Sequence, residues 1–326
     1  MKLAVALLIT AFATLTVLGQ APTLHVVTEI PNLPSDLYYG TTKVKPLRLR
    51  PGTNTPITID GLNDSDFFVN QQYVDFLNRF PDQGGFDFWV SQTIPGPCGG
   101  NMECWRLRRD NTSGAFFLSI EFQATGYLAE RMYKVAYGDF VGTSTLGGTH
   151  TLPVPIIKRS EFLPDTLQLS NGVVVDPNNN AWQTVLENNK IAYANDFVAR
   201  PRFTAAFPAS MTAAQFVDAL NANGGNPLSS TERNQLVTDL STGAKTRAQV
   251  VRAVAEDQDL INSEKNKAFV LMQYLGYLRR DPNSGQDTDH TGYEFWLTKL
   301  NQFGGDFHAA QMVRAFIVSG EYLNRF

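Results

Sequence analysis

Phe68-Val69-x-x-Gln72-Tyr73-x-x-Phe76-Leu77-x-Arg79-x-Pro81 returns as Phe269-Val270-x-x-Gln273-Tyr274-x-x-Tyr277-Leu278-x-Arg280-x-Pro282, at a constant offset of 201 residues. Apolar residues at three- and four-residue steps predict an amphipathic helix in each, ended by the proline. A short aromatic segment follows in both. Gly85-Phe86-Asp87-Phe88-Trp89 pairs with Gly292-Tyr293-Glu294-Phe295-Trp296, now offset by 207, so the second copy has six more residues in the turn between. Each copy closes on another helix, read as Phe122 to Leu128 in the first and Phe316 to Leu323 in the second. This internal repeat decides the fold class: a mainly α chain of tandem multi-helix modules, each a small helical bundle.

A weaker third copy lies between the two. Phe216-Val217 opens it, Gly224-Gly225-Asn226-Pro227 makes its turn, and Ser229-x-x-Glu232 is a capping box. Its last helix, Ala248-Gln-Val-Val-Arg-Ala253, matches Ala310-Gln-Met-Val-Arg-Ala315 at five of six positions. Module 1 is therefore set at 61–131, a degenerate module 2 at 202–262 and module 3 at 263–326. The connector, 132–201, departs from the plan: a glycine-rich loop, a short strand at Val173–Val175, and one long helix from Ala181 to Arg200.

Outward from the repeat, 1–19 reads as a secretory signal peptide cut after Gly19: Met1-Lys2, an apolar run to Leu18, then small residues. An uncleaved anchor is the alternative, since the run approaches the ~20 residues of a membrane span. No later segment is apolar enough to cross a bilayer, which implies a soluble extracytoplasmic protein, secreted or held at the cell surface. Residues 20–60 are rich in Pro and Thr and predict an extended arm. Cys98 and Cys104 sit in a turn-rich loop and read as a structural disulfide, with a redox pair as the lesser alternative. The 326 residues are 43% hydrophobic and 18% charged, enough for a packed core. A formal charge of −4 argues against nucleic acid as a partner.

The unit resembles a bacterial module known as domain of unknown function 4214. That family opens with a Phe-Val-x-x-x-Tyr helix and runs through Arg-x-Pro-Asp and Gly-aromatic-x-x-Trp to a closing Phe-x-x-Ser-x-Glu-Tyr. Module 3 carries Phe269, Tyr274, Arg280, Pro282, Gly292, Trp296, Phe316, Ser319, Glu321 and Tyr322 in that order. Module 1 carries Phe68, Tyr73, Arg79, Pro81, Gly85 and Trp89, and its ending reads as degraded, with Thr125 for the Ser and no acidic residue. The family is mostly exported and is similar to the helical linker domains of phycobilisomes. The resemblance thus implies binding or assembly, with a protein or polysaccharide of the cell surface or matrix as partner.

Motifs for chemistry are sparse. There is no Gly-x-Ser-x-Gly elbow, His-Glu-x-x-His, Walker loop or dinucleotide fingerprint. The richest polar cluster is Asp281, Asn283, Asp287, Asp289 and Glu294, a candidate calcium loop whose second half fails because Thr298 stands where a bidentate Glu belongs. Its alternative is a solvated insertion that caps the next helix. No other cofactor is implied. The recurring aromatics, Trp89 and Trp296 foremost, read as core, with a sugar-stacking platform as the alternative. Arg79 and Arg280 are expected to complement the carbonyl end of their helices. Three functional readings follow: a non-enzymatic surface or matrix module, a carbohydrate-binding or carbohydrate-active envelope protein, and a calcium-dependent structural module.

Overall fold

Asp82, Asn101, Ser119, Thr212, Ser229, Thr246, Asp257 and Ser319 each stand directly ahead of a helix, and their side chains accept hydrogen bonds from its otherwise unpaired first-turn N–H groups. Three of these starts are full capping boxes, Thr212 with Gln215, Ser229 with Glu232, and Thr246 with Gln249. Helices begun in this way make up most of the computed structural model. It describes residues 65–325 except 177, together with the backbone of three short strands nearer the N-terminus.

Those strands, β1 (Leu24–Val27), β2 (Asp36–Tyr39) and β3 (Thr42–Val44), pair antiparallel in the order β1-β2-β3 and belong to a unit of their own, Met1–Pro46. The signal peptide and the remainder of the 20–60 arm lie outside the described residues.

The main unit, Leu47–Phe326, is helical. Module 1 runs α1 (Ser65–Gln72), extended by a π-helical turn over Tyr73–Leu77, then α2 (Gln83–Thr93), α3 (Met102–Leu118) and α4 (Ile120–Ala124). α5 (Gly126–Tyr137) runs from module 1 into the connector, which continues with the hairpin β4 (Asp139–Ser144) with β5 (His150–Pro155), α6 (Arg159–Ser170) and α7 (Ala181–Ala199), and α8 (Pro201–Ala206) leads into module 2. Module 2 is α9 (Ala213–Asn223), α10 (Ser230–Ser241) and α11 (Arg247–Ala255). Module 3 is α12 (Gln258–Met272) with its own π-helical turn over Gln273–Leu278, then α13 (Thr291–Gln302), α14 (Met312–Ile317) and α15 (Gly320–Leu323).

Two expectations for local structure are corrected. Val173–Val175 is not a strand; the strands of the connector are β4 and β5, which turn through Gly147 and Gly148, both at positive φ. The matched segments at Ala248 and Ala310 also differ. α11 is helical from Arg247, whereas α14 starts only at Met312, after a left-handed Gln311. The cause is Phe307. Its ring fills the space over Gly114 of α3, where a β-carbon would lie 2.3 Å from the ring tip, and it also packs on Phe269 at 5.4 Å. Seating that ring draws the preceding turn away from helical geometry.

Burial is continuous across the modules. One apolar cluster runs from Phe67 and Phe117 through Tyr127, Phe197 and Phe216 to Val270 and Tyr322. Modules 1 and 3 meet at equivalent positions: Phe76 lies edge-on to Tyr277 at 5.0 Å, and Asp75 lies against Gly276. α3 likewise packs on its counterpart α14. Contacts between like positions are what a two-fold, isologous pairing produces.

Candidate functional site

Tyr73 lies in the π-helical turn, and its ring meets Phe116 of α3 edge-on at 4.8 Å. In module 3 the same contact is Tyr274 on Phe316, at 5.2 Å. Trp89 and Trp296 lean on those phenylalanines at 5.5 and 5.7 Å, and Phe88 and Phe295 stand edge-on to their tryptophans at 4.9 and 5.0 Å. A glycine is required where α2 and α13 pass the tyrosine. A β-carbon on Gly85 would fall 2.3 Å from the Tyr73 hydroxyl oxygen, and one on Gly292 would fall 2.6 Å from that of Tyr274. Burial, above all, pushes both tyrosine hydroxyls well above their ordinary pKa.

The arginines complete each cradle. Arg79 donates from Nε and Nη2 to the two carboxylate oxygens of Glu121, both at 2.7 Å, while its guanidinium lies 5.0 Å from the Tyr73 ring centre. Arg280 does the same with Glu321, at 2.6 and 3.0 Å, over Tyr274 at 5.3 Å. These forks are bidentate and charge-assisted, and they tie the first helix of a module to its last. The expectation that both arginines serve their own helix ends is corrected accordingly.

The same pairing corrects the alignment of the module 1 ending. Phe116-x-x-Ser119-x-Glu121-Phe122 corresponds to Phe316-x-x-Ser319-x-Glu321-Tyr322, at an offset of 200. Ser119 and Ser319 cap α4 and α15 and return hydrogen bonds to Phe116 and Phe316. Thr125 is not the counterpart of Ser319, and the acidic residue is present. The closing motif of module 1 is thus present, with Phe122 where module 3 has Tyr322. Its signal lies in the sequence just upstream of Phe122, which is the end of the motif rather than its start.

The other motif residues take supporting places. Phe68, Phe269, Pro81 and Pro282 are buried. Phe216 lies in the core of module 2 against Phe207 at 5.3 Å, with Arg247 over its ring. Tyr322 is buried and donates to Asp75. Trp89 and Trp296 are half-buried and pack against the core.

Above each cradle is a cleft. In module 1 it measures about 720 Å³ and is lined by motif residues together with Phe88, Asp82, Val174, Asp176 and Asn178. In module 3 it measures about 300 Å³.

The candidate calcium residues are dispersed among other partners. Asp287 pairs with Arg280 at 2.6 Å, and Asp281 accepts from the backbone N–H of Arg159 at 2.7 Å. Asp289 accepts from Thr291 N–H at 2.9 Å, as a turn residue ahead of α13. Glu294 pairs with His150 of β5 at 2.9 Å, and Asn283 is half-buried in the turn. Among the described residues, no group of three His, Cys, Asp or Glu side chains is placed to hold a metal ion. Cys98 and Cys104 form a disulfide with Cα atoms 5.6 Å apart. No helix among the described residues is long and apolar enough to cross a membrane.

Fold and site together define a mainly helical protein with one aromatic and ionic cradle built twice. Comparison with protein-family models, curated proteins and solved structures found no match for this chain.

Proposed function

We propose that this protein is a non-enzymatic binding module of the cell surface or extracellular matrix, engaging a protein or polysaccharide there. The observation that carries the reading is how the doubled motif divides its residues. Arg79 and Arg280 are locked to Glu121 and Glu321, and Ser119 and Ser319 are locked to backbone, so the polar motif residues act as braces. The aromatic residues beside them stay available: Phe88 and Phe295 are 55% and 44% exposed. Rigid braces behind open aromatic rings suit recognition, in which preorganisation lowers the cost of binding. The signal-peptide pattern and the resemblance to an exported module family support the location.

The test is co-sedimentation of the purified protein with washed envelopes of the source organism. Saturable binding that weakens in the Phe88→Ala/Phe295→Ala double variant is the expected result. No binding at high protein concentration would overturn the reading.

A further inference from the structure

The two cradles differ in one respect that bears on ligand chemistry. In module 3 the longer turn folds back on the arginine. Asp287 Oδ2 lies 2.6 Å from Arg280 Nη2, and Nη1 donates to the Ser284 carbonyl at 2.7 Å. The chain thereby occupies its own cleft and leaves about 300 Å³. Module 1 lacks those six residues. Arg79 Nη1 reaches only the Phe80 carbonyl, at 2.9 Å, and Asp82 stands 3.8 Å away. Its cleft keeps about 720 Å³, within the range of about 300–1,000 Å³ usual for small-molecule sites. A further wall comes from Val174, Asp176 and Asn178, for which the module 3 cleft has no counterpart among the described residues.

We infer that the module 1 cleft binds a short stretch of neutral oligosaccharide, a sugar ring stacking on Phe88 and Trp89 and its hydroxyls meeting Asp82, Asp176 and Asn178. The inference rests on the binding reading above and names its ligand. Phe88 and Trp89 meet at 76°, which offers two apolar faces set at an angle, suited to the C–H face of a pyranose. A purely apolar ligand would strand the carboxylates of Asp82 and Asp176 without water. Among the described lining residues, an anionic sugar would meet Asp82, Glu121 and Asp176 against a single cation, Arg79, a lining of net negative charge. A cationic ligand would find the Glu121 carboxylate already taken by Arg79, and only the exposed, hydrated carboxylates of Asp82 and Asp176 left to pair with, where an ion pair contributes little. A neutral polyol satisfies the carboxylates and the amide as a hydrogen-bond donor and acceptor, without either conflict.

The experiment is isothermal titration of the full chain with chitotriose, cellotriose and maltotriose, and with trigalacturonate as the charged control. At least one neutral trisaccharide should bind saturably, and trigalacturonate at least about tenfold more weakly. Phe88→Ala and Asp176→Asn should each weaken that binding about tenfold, while Ile191→Ala on α7, an exposed apolar residue outside the cleft, leaves it unchanged. Both cleft side chains are exposed, so circular dichroism and the melting temperature should report an intact fold in each variant. The inference is overturned if no neutral trisaccharide binds by about 10 mM, if trigalacturonate binds as well as they do, or if neither variant weakens binding. Envelope binding that survives both variants would remove the cleft assignment alone. Its absence in the unaltered protein would remove the broader reading too.

Discussion

Asp75 is the position where a single substitution should do the most damage. Its side chain is wholly buried between modules 1 and 3. It accepts from Arg279 Nη2 at 2.9 Å, Arg325 Nη2 at 3.0 Å, the Tyr322 hydroxyl at 3.0 Å and Gln71 Nε2 at 2.7 Å. Burial acts to raise its pKa, but the charges of Arg325 and Arg279 outweigh burial and hold the carboxyl below its ordinary value. Asp75→Asn keeps the shape and one acceptor oxygen, and it leaves two guanidiniums facing a neutral amide. Breaking one partner out of a buried ion pair costs about 3–5 kcal/mol. The arginines are only partly buried and can regain some water, so the lower end applies, about 3 kcal/mol. For a unit of this size that is a fall of roughly 6–12 °C in melting temperature.

The pH dependence has a fixed sign. A carboxyl whose pKa is depressed on folding contributes stability above its unfolded value and loses it as pH falls through the folded value. Urea unfolding of Asp75→Asn should therefore differ most from the unaltered protein near pH 7, and the two should converge in acid. Restoring the composition of the other half of the interface supplies a second check, because the counterparts of Asp75, Arg279 and Arg325 are Gly276, Asn78 and Thr125. Asp75→Gly combined with Arg279→Asn and Arg325→Thr strands no charge. It should cost less than the sum of the single variants. A change below 1 °C in Asp75→Asn, or a difference that persists undiminished at low pH, would refute the argument.

Gly85→Ala and Gly292→Ala should each destabilise by about 1–3 kcal/mol in urea unfolding, since the added carbon meets a tyrosine hydroxyl held by packing. Gly84→Ala, whose nearest neighbour is a flexible Asp82 oxygen at 3.5 Å, should be nearly neutral in the same assay. Burial, with the neighbouring charge of Glu264, pushes the Glu130 carboxyl up to about 8. A raised carboxyl withdraws stability as pH climbs from its unfolded value to its folded one, so Glu130→Gln should gain on the unaltered protein between about pH 4.5 and 8 in pH-scanned unfolding. With Asp287 engaged by Arg280, the melting temperature should be the same in calcium as in chelator; a calcium-dependent rise would reinstate the metal loop.

The helices are legible wherever local rules decide. Apolar spacing places α1, α9 and α12, and Ser229 with Glu232 marks the start of α10 from the sequence alone. What escapes a reading of the sequence is set by distant contacts. The segments at Ala248 and Ala310 are nearly identical, yet only the second is overridden by an aromatic ring seated on another helix. The hairpin of β4 and β5 reads as loop because its glycines and threonines lack apolar alternation, and its far end is held by His150 on Glu294. The cradle is legible as a set of repeated residues but not as an object. Nothing local says that Arg79 reaches across 42 residues to Glu121, and without that pairing the register of the closing motif slips.

Once the register is corrected, the remaining differences between modules 1 and 3 carry information. The motif residues Tyr, Arg, Gly, Trp, Phe, Ser and Glu agree, and they build the same contacts to within a few tenths of an ångström. The differences gather at two places. At the interface, one half supplies Asp75 while the other supplies Arg279, Tyr322 and Arg325. This converts a pairing of like surfaces into one with a defined polarity, because each partner group would be unsatisfied if the halves were exchanged. At the clefts, the extra turn takes up space in module 3, and its absence leaves the larger cleft in module 1. Both places draw on the same π-helical turns, which hold Asp75 and Tyr73 in module 1 and Gly276 and Tyr274 in module 3. Modules 1 and 3, alike in their motif, therefore present a larger and a smaller cleft, and the ion cluster at Asp75 ties the module that carries the larger one to its partner.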